Sequence, residues 1–495
     1  MKRTTLSLIA AVTALAAVTG FAAVSAPDAP GDTPARAAAT LPVERTSLVC
    51  PAPSSSDLAE TTYTAFTPAT EGTGDKGTAQ LLPATGDSAD KPAKSVLTPK
   101  EPAAPVGTDR SGADAPPLAG TAEGRLAPGW AVQQTTEVAA GVGRGLQGLG
   151  CVAPDTDFWF PGAATDAGRT DYVHLVNPDD SAAVVDIELY GKDGALESEV
   201  GSDITVKALT SEPVLLSTLT DEELTDLTVH VNVRSGRVGA AVQALDEKRG
   251  GDWLTASADP ADSLVMPGIP EDATAVRLIA YSTGGSDADL KLRLASPSGS
   301  ITPVGNETVH VKAGMTTAVD LGDITKGEPG SLVLTPSGTA VPVVAALQVV
   351  RGKGDDQETA YIPAGRSVDT RATAVGNTEK GTGLALTAPS ATTEVKVTAS
   401  AGTEGGEAAS ETFTIKAGTT QKIELPVPSG LKGTYALTVE PTGDGGPLYA
   451  SRTLTTDMDG VPAFTVQTLP DDRGRVSVPE AEQDLSVLQD RVLHD

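Results

Sequence analysis

Apolar and polar residues alternate with period two through most of the chain. Val185, Ile187 and Leu189 are separated by Asp186 and Glu188, Leu290, Leu292 and Leu294 by Lys291 and Arg293, and Val395 and Val397 by Lys396. This alternation predicts strands with one buried and one wet face. The blocks begin at positions 185, 290 and 395, two equal steps of 105 residues. A second set holds the same register: Ile204-Thr205-Val206-Lys207-Ala208, Val309-His310-Val311-Lys312-Ala313 and Phe413-Thr414-Ile415-Lys416-Ala417. Later blocks stay in phase at Leu227–Val231, Leu332–Leu334 and Leu437–Val439, and Ala241-Val242-Gln243 matches Ala346-Leu347-Gln348. Several blocks in phase over three units define a true internal repeat.

A degenerate unit precedes these three. Ala131-Val132-Gln133 matches the last block, and Leu48-Val49-Cys50-Pro51 resembles the opening strands Phe158–Gly162 and Leu264–Gly268. Residues 83–120 are rich in Pro, Ala, Gly, Asp and Thr, which predicts a loop. Each unit holds about seven short strands in roughly 100 residues, punctuated by turns such as Lys192-Asp193-Gly194 and Pro297-Ser298-Gly299. The fold class expected is therefore all-β, as tandem immunoglobulin-like or fibronectin-like β-sandwich units. Propeller blades and solenoid coils repeat at about 20–50 residues, which is too short a period.

The expected organisation is a leader and linker at 1–39, an irregular first sandwich at 40–150 containing the 83–120 loop, and sandwiches at 151–258, 259–360 and 361–470. An acidic tail at 471–495 completes it. Within that tail Pro479-Glu480 opens a short C-terminal helix, with Leu485, Leu488 and Val492 on one face.

Met1-Lys2-Arg3 followed by an uncharged stretch from Leu6 to Val24 reads as an export signal, with Val24-Ser25-Ala26 and Ala37-Ala38-Ala39 as candidate cleavage sites. A secreted or cell-envelope location follows. The alternative is a membrane anchor formed by residues 6–24, the one expected contact with a membrane. Leu82-Pro83-Ala84-Thr85-Gly86 spells a sortase pattern but lies far from the C-terminus, so it is read as a chance match in a loop.

Two cysteines in an exported chain predict one disulfide, Cys50 to Cys151, tying the start of the thinnest unit to its end. The net charge of −29 and the lack of a basic stripe argue against nucleic acid as a partner.

Candidate chemistry is sparse. His174, His230 and His310 fall in strands at different repeat offsets and are expected to face solvent. With His494 they form no H-x-x-H or H-x-x-x-H pair, so no metal site is expected. No G-x-S-x-G elbow occurs, and Ser88-Ala89-Asp90-Lys91 lacks the partners that S-x-x-K chemistry needs. No catalytic residue, cofactor or enzymatic activity is expected. Asp457-Met458-Asp459-Gly460 resembles only the beginning of a calcium loop. Trp130, Phe158, Trp159, Phe160 and Trp253 are the candidates for a glycan platform or for packing at interdomain seams, and the Phe158–Phe160 trio must turn one side toward solvent or a neighbour.

Leu48–Pro51, Gly150–Pro154, the aromatic Phe158–Gly162 and Tyr172–Pro178 together resemble an uncharacterised exported family of high-GC Gram-positive (actinobacterial) bacteria. The resemblance implies no activity. The function expected is a non-enzymatic envelope protein with a structural or protein-interaction role. The alternative is a cell-wall glycan-binding protein, so an envelope protein or a cell-wall polymer is the expected partner.

Overall fold

The computed structural model describes residues 39–86, 94–443, 445–458 and 460–478. Residues Pro42–Arg475 form one compact body. Separately, strand Ala39–Pro42 pairs with Arg475–Val478 in a two-stranded ribbon. The C-terminal helix expected from residue 479, the leader stretch 6–24 and Ser88–Lys91 lie outside the described residues.

The body is built from antiparallel sheets, taken two to a unit. In unit 2, Ala183–Gly191 and Leu227–Ser235 form the middle of one sheet, with the opening strand Asp157–Ala163 at its edge. In the second sheet, Arg169–Val176 and Gly239–Asp246 lie between Ser211–Leu215 and the closing strand Gly250–Leu254. Units 3 and 4 repeat the order. Their opening strands are Leu264–Ile269 and Ala372–Asn377, and their closing strands Glu358–Pro363 and Val461–Leu469. The chain is all-β, built as sandwich units.

The repeated apolar positions make the cores. Val185, Ile187 and Leu189 lie in that of unit 2, Leu290, Leu292 and Leu294 in that of unit 3, and Val395 and Val397 in that of unit 4. The alternating charges Lys291, Arg293, Glu394 and Lys396 are exposed. Asp186 breaks the pattern. It is buried, and it accepts the Asp203 amide (2.8 Å) and pairs with Arg234.

Unit 1 carries the same plan in reduced form. Arg45–Cys50, Leu118–Gly124 and Gly77–Pro83 make its first sheet. Val106–Ser111, Ala59–Phe66, Ala131–Val138 and Gly145–Gly150 make its second. The 83–120 segment is therefore not all loop. Val106–Ser111 is an edge strand, and Leu97 is buried and bridges to Leu81. That edge strand pairs through its backbone with Ala59–Phe66 and carries a single large apolar side chain, Val106, so it has no hydrophobic alternation to read. Leu82 and Pro83 of the sortase-like sequence end a strand paired with Leu118 and Ala119. Cys50 and Cys151 form the expected disulfide, with Cα atoms 4.7 Å apart.

The tandem units close into a ring. Each opening strand packs on the second sheet of the next unit. Arg45–Cys50 meets Gly239–Asp246, Asp157–Ala163 meets Val343–Arg351, and Leu264–Ile269 meets Tyr449–Met458. Ala372–Asn377 then returns to Ala131–Val138 of unit 1. The four closing strands adjoin one another in the same cyclic order around the middle. Backbone bonds stitch them: the Gly251 amide donates to the Arg144 carbonyl and the Thr359 amide to the Arg249 carbonyl, both at 3.0 Å. Close approach is possible because the contact points are small. A Cβ on Gly239 would lie 2.0 Å from Val49 Cγ2, and one on Gly148 would lie 2.5 Å from Thr465 Cγ2. Each core borrows residues across its seam: Phe464 and Val466 of unit 4 lie in the core of unit 3, and Ala346 and Tyr361 of unit 3 in that of unit 2.

Candidate functional site

Trp159 lies at the seam of units 2 and 3. Strand register sets it beside His230, and His230 beside Glu188. The indole stacks on the imidazole with centroids 3.8 Å apart and on Tyr281 of unit 3 at 5.3 Å. Tyr190 lies 4.7 Å from Tyr281. His230 is held between two carboxylates, with Nδ1 2.8 Å from Glu188 and Nε2 3.1 Å from Asp157. The Tyr190 hydroxyl donates to Glu188 (2.8 Å). Burial pushes the Glu188 carboxyl upward, but the hydrogen bonds from His230 and Tyr190 outweigh it and hold the group below its usual range. Burial, with the Glu188 hydrogen bond second, raises the Tyr190 phenol. The seam is fastened by Thr316 of unit 3, whose hydroxyl reaches the Tyr190 carbonyl (2.7 Å) and Thr228 (2.9 Å).

The other aromatic candidates are buried. Phe158 and Phe160 point inward to the core of unit 2, with Trp159 on the opposite face between them. Trp130 belongs to the core of unit 1. Trp253 packs with Leu149 and Ala241 across the seam of units 1 and 2. Trp159 is thus the one member of the set that is only half-buried.

His174 departs from its expected exposure. It is buried beside Trp253, ring centroids 5.2 Å apart, with no partner on either ring nitrogen. Burial brings its pKa down to about 4. The reason is tertiary, because the strand face that would be wet in an isolated sandwich is covered by unit 1. His310 does face solvent, and its hydrogen bond to Asp289 (2.8 Å) raises it. His494 lies outside the described residues.

Groups from all four units converge where the closing strands meet. Arg144 of unit 1 pairs with Glu358 of unit 3 and donates to the carbonyls of Lys248 (3.0 Å) and Gln357 (3.1 Å). Burial outweighs Arg144 and pushes the Glu358 carboxyl up to about 7. Asp252 of unit 2 is fully buried. Its Oδ1 accepts the Gly148 amide (3.1 Å), while its Oδ2 and the Thr465 hydroxyl of unit 4 have no partner. Burial raises the Asp252 carboxyl well above its ordinary value.

The repeated Ala-x-Gln block, read from sequence only as a strand marker, serves these seams. Gln243 donates to Gln147 (3.0 Å) and to the Pro53 carbonyl (2.9 Å) of unit 1. Gln133 accepts from Gln467 of unit 4 (3.2 Å). At the matching place in unit 4 stands Arg452, buried and bonded to Val375, Asn377 and Gln467. Its guanidinium is lowered to about 9 by burial. The recurrence of a polar residue at one repeat position was the available signal.

The ring closes through residues 471–475. Asp471 Oδ2 accepts the Thr370 amide (2.6 Å) and hydroxyl (2.8 Å). Asp472 pairs with Arg371 (2.5 Å), both side chains nearly buried, and accepts the Thr373 hydroxyl (3.0 Å). Arg371 also reaches Thr70 of unit 1 (3.2 Å), and the Val43 amide donates to the Gly474 carbonyl (3.1 Å). The start of the expected acidic tail is therefore a clasp between units 4 and 1.

Among the described residues no group of three or more His, Cys, Asp or Glu side chains is arranged to hold a metal ion. Asp457 instead accepts the Gly460 amide (2.9 Å) in a turn. No helix of the described residues is long and apolar enough to cross a membrane.

These observations define an all-β protein of four sandwiches closed on one another through buried polar seams. The chain belongs to the Family of unknown function (DUF5719), whose model matches residues 106–426. The match begins inside unit 1 and ends inside unit 4, so it covers most of the ring. No curated protein matches the chain.

Proposed function

We propose that this chain is a non-enzymatic, exported envelope protein that acts as an interaction scaffold. The ring closure carries the reading: the clasp at 471–475 joins unit 4 to unit 1 through the hydrogen bonds Val43–Gly474, Arg371–Thr70 and Arg475–Glu71, so that all four sandwiches hold fixed positions. A fixed ring presents strand edges and turns from four units without a long flexible linker, which suits multivalent docking. The Cys50–Cys151 disulfide fits an oxidising, extracytoplasmic compartment, and the leader-like N-terminus supports export. Cross-linking on intact cells followed by affinity purification tests the reading. Recovery of a defined envelope partner is the expected result, and a chain found reduced in the cytosol with no partner overturns it.

A second reading, binding of a cell-wall glycan, is favoured by a specific observation. The seam of units 3 and 4 carries an open hollow lined by hydroxyls and charged groups. Co-sedimentation of the purified chain with wall polysaccharide tests it, and a chain left wholly in the supernatant counts against it.

A further inference from the structure

The hollow at the seam of units 3 and 4 has a volume of about 250 Å³. Its floor is the outer face of a unit 4 sheet, where Gly383 and Ala385 lie beside Thr453 and Thr455. Its wall is the turn Pro270-Glu271-Asp272 of unit 3 with Arg351 and Pro329. A second, shallower hollow shares Glu271, Pro329 and Lys422 and extends the first toward Pro297 and Gln421. The two hollows adjoin through these shared residues and are both open to solvent.

The groove exists because side chains are missing from its floor. A Cβ built on Gly383 finds only Lys422 Cε at 3.8 Å and Thr453 Cβ at 3.9 Å, which is ordinary contact with room to spare. Two ion pairs line it: Arg351 with Asp272 (2.5 Å) and Lys422 with Glu271 (2.9 Å). Asp272, Glu271 and Lys422 are each about half exposed. A sugar hydroxyl donates one hydrogen bond and accepts others, so vicinal hydroxyls suit a carboxylate and an ammonium side by side. Threonine hydroxyls add neutral partners, and the rings of Pro270, Pro297 and Pro329 offer apolar surface to the C–H face of a sugar. Because each cation already has its carboxylate, the groove offers no surplus charge for an anion. Its two joined hollows suit an extended chain rather than a single small molecule.

We propose that this groove binds a linear, hydroxyl-rich polysaccharide strand, seated over Gly383 and held by the Lys422–Glu271 and Arg351–Asp272 pairs. The proposal rests on the wall-glycan reading above and gives it an address.

The test uses the full mature chain and two probes, chitohexaose and peptide-stripped wall glycan strands, titrated by calorimetry. Gly383→Leu fills the floor from the solvent side beside Lys422 Cε and leaves the charged groups of both ion pairs chemically unaltered. Glu271→Gln with Lys422→Met removes the exposed pair while keeping shape. Binding of at least one probe by the unaltered chain, weakened at least tenfold in both variants with unchanged melting temperature, is the expected result. Failure of the unaltered chain to bind either probe overturns the proposal, as does equal binding by the Gly383→Leu chain or tighter binding of a proline-rich peptide than of both glycans. If the chain sediments with wall material while Gly383→Leu has no effect, the wall-glycan reading survives and this groove is not its site.

Discussion

Asp252 of unit 2 and Gly148 of unit 1 meet through a carboxyl-to-amide hydrogen bond of 3.1 Å in the middle of the ring. Neither residue reaches water. The contact ties a carboxyl whose pKa burial raises to a position where any side chain would strike Thr465 of a third unit. The ring is thus held by groups that titrate, and stability depends on pH from both sides.

On the alkaline side the controlling groups are Glu358 and Asp252. A carboxyl whose folded pKa is raised is stabilised by its proton, and that stability is fully present below the unfolded value of about 4.3. It is lost as pH rises through the folded value, about 7 for Glu358. The melting temperature should fall between pH 5 and pH 8. Glu358→Gln should flatten that slope in thermal scans across this range, which separates its effect from the general repulsion of a chain carrying −29.

On the acidic side His174 acts in the opposite sense. Its pKa is depressed to about 4, so its contribution is present above the unfolded value of about 6.5 and is lost as pH falls through 4. The titratable neighbour on the same strand face is Tyr172, ring centroids 6.1 Å apart, while Asp171 is turned to the other face in its pair with Arg169. His174→Gln should reduce the loss of stability between pH 6 and pH 4, read by the midpoint of urea unfolding at each pH.

The Arg371–Asp472 pair should behave as a buried latch. Removing one partner of a buried pair costs about 3–5 kcal/mol because the other charge is left without compensation. Asp472→Ala should lower the unfolding midpoint accordingly. It should also raise hydrogen exchange in Ala372–Asn377, where unit 4 meets unit 1, before exchange rises in the core of unit 2.

Reduction should expose the dependence of unit 1 on its covalent tie. Cys50 and Cys151 are 101 residues apart, and a loop of that size corresponds to about 4–5 kcal/mol in the chain-entropy view. Cys50→Ser with Cys151→Ser should make Ala59–Phe66 and Ala131–Val138 accessible to protease while units 3 and 4 stay resistant. Mass mapping of the fragments checks this. The unaltered, unfolded chain should show no free thiol.

Acrylamide quenching should distinguish the three tryptophans. Trp130 and Trp253 are nearly fully buried, whereas Trp159 keeps an exposed edge. Trp159→Phe should remove most of the quenchable emission. Trp159→Ala should loosen the seam of units 2 and 3 by about 2 kcal/mol, below the range for a fully buried aromatic.

The sandwich cores were legible because each strand declares its buried face locally. Val185, Leu290 and Val395 stand at one repeat position and occupy three separate cores. The disulfide was legible too, since two cysteines leave one pairing. Unit 1 was less so: Val106–Ser111 pairs through its backbone and shows no apolar alternation. Of the aromatic candidates, the sequence separated Trp159 from Phe158 and Phe160 by alternation alone, yet could not say that Tyr281 would meet it.

Sequence by itself thus determined the core-facing positions of the repeated strands, their period and the cysteine pair, all set by spacing along the chain. Tertiary structure alone decided that the fourth unit returns to the first. That outcome depends on the outer faces of sheets, where small residues such as Gly239 and Gly148 and polar ones such as Gln243 and Asp252 look like ordinary wet positions. Their burial is fixed only when a neighbouring unit, distant in sequence, covers them.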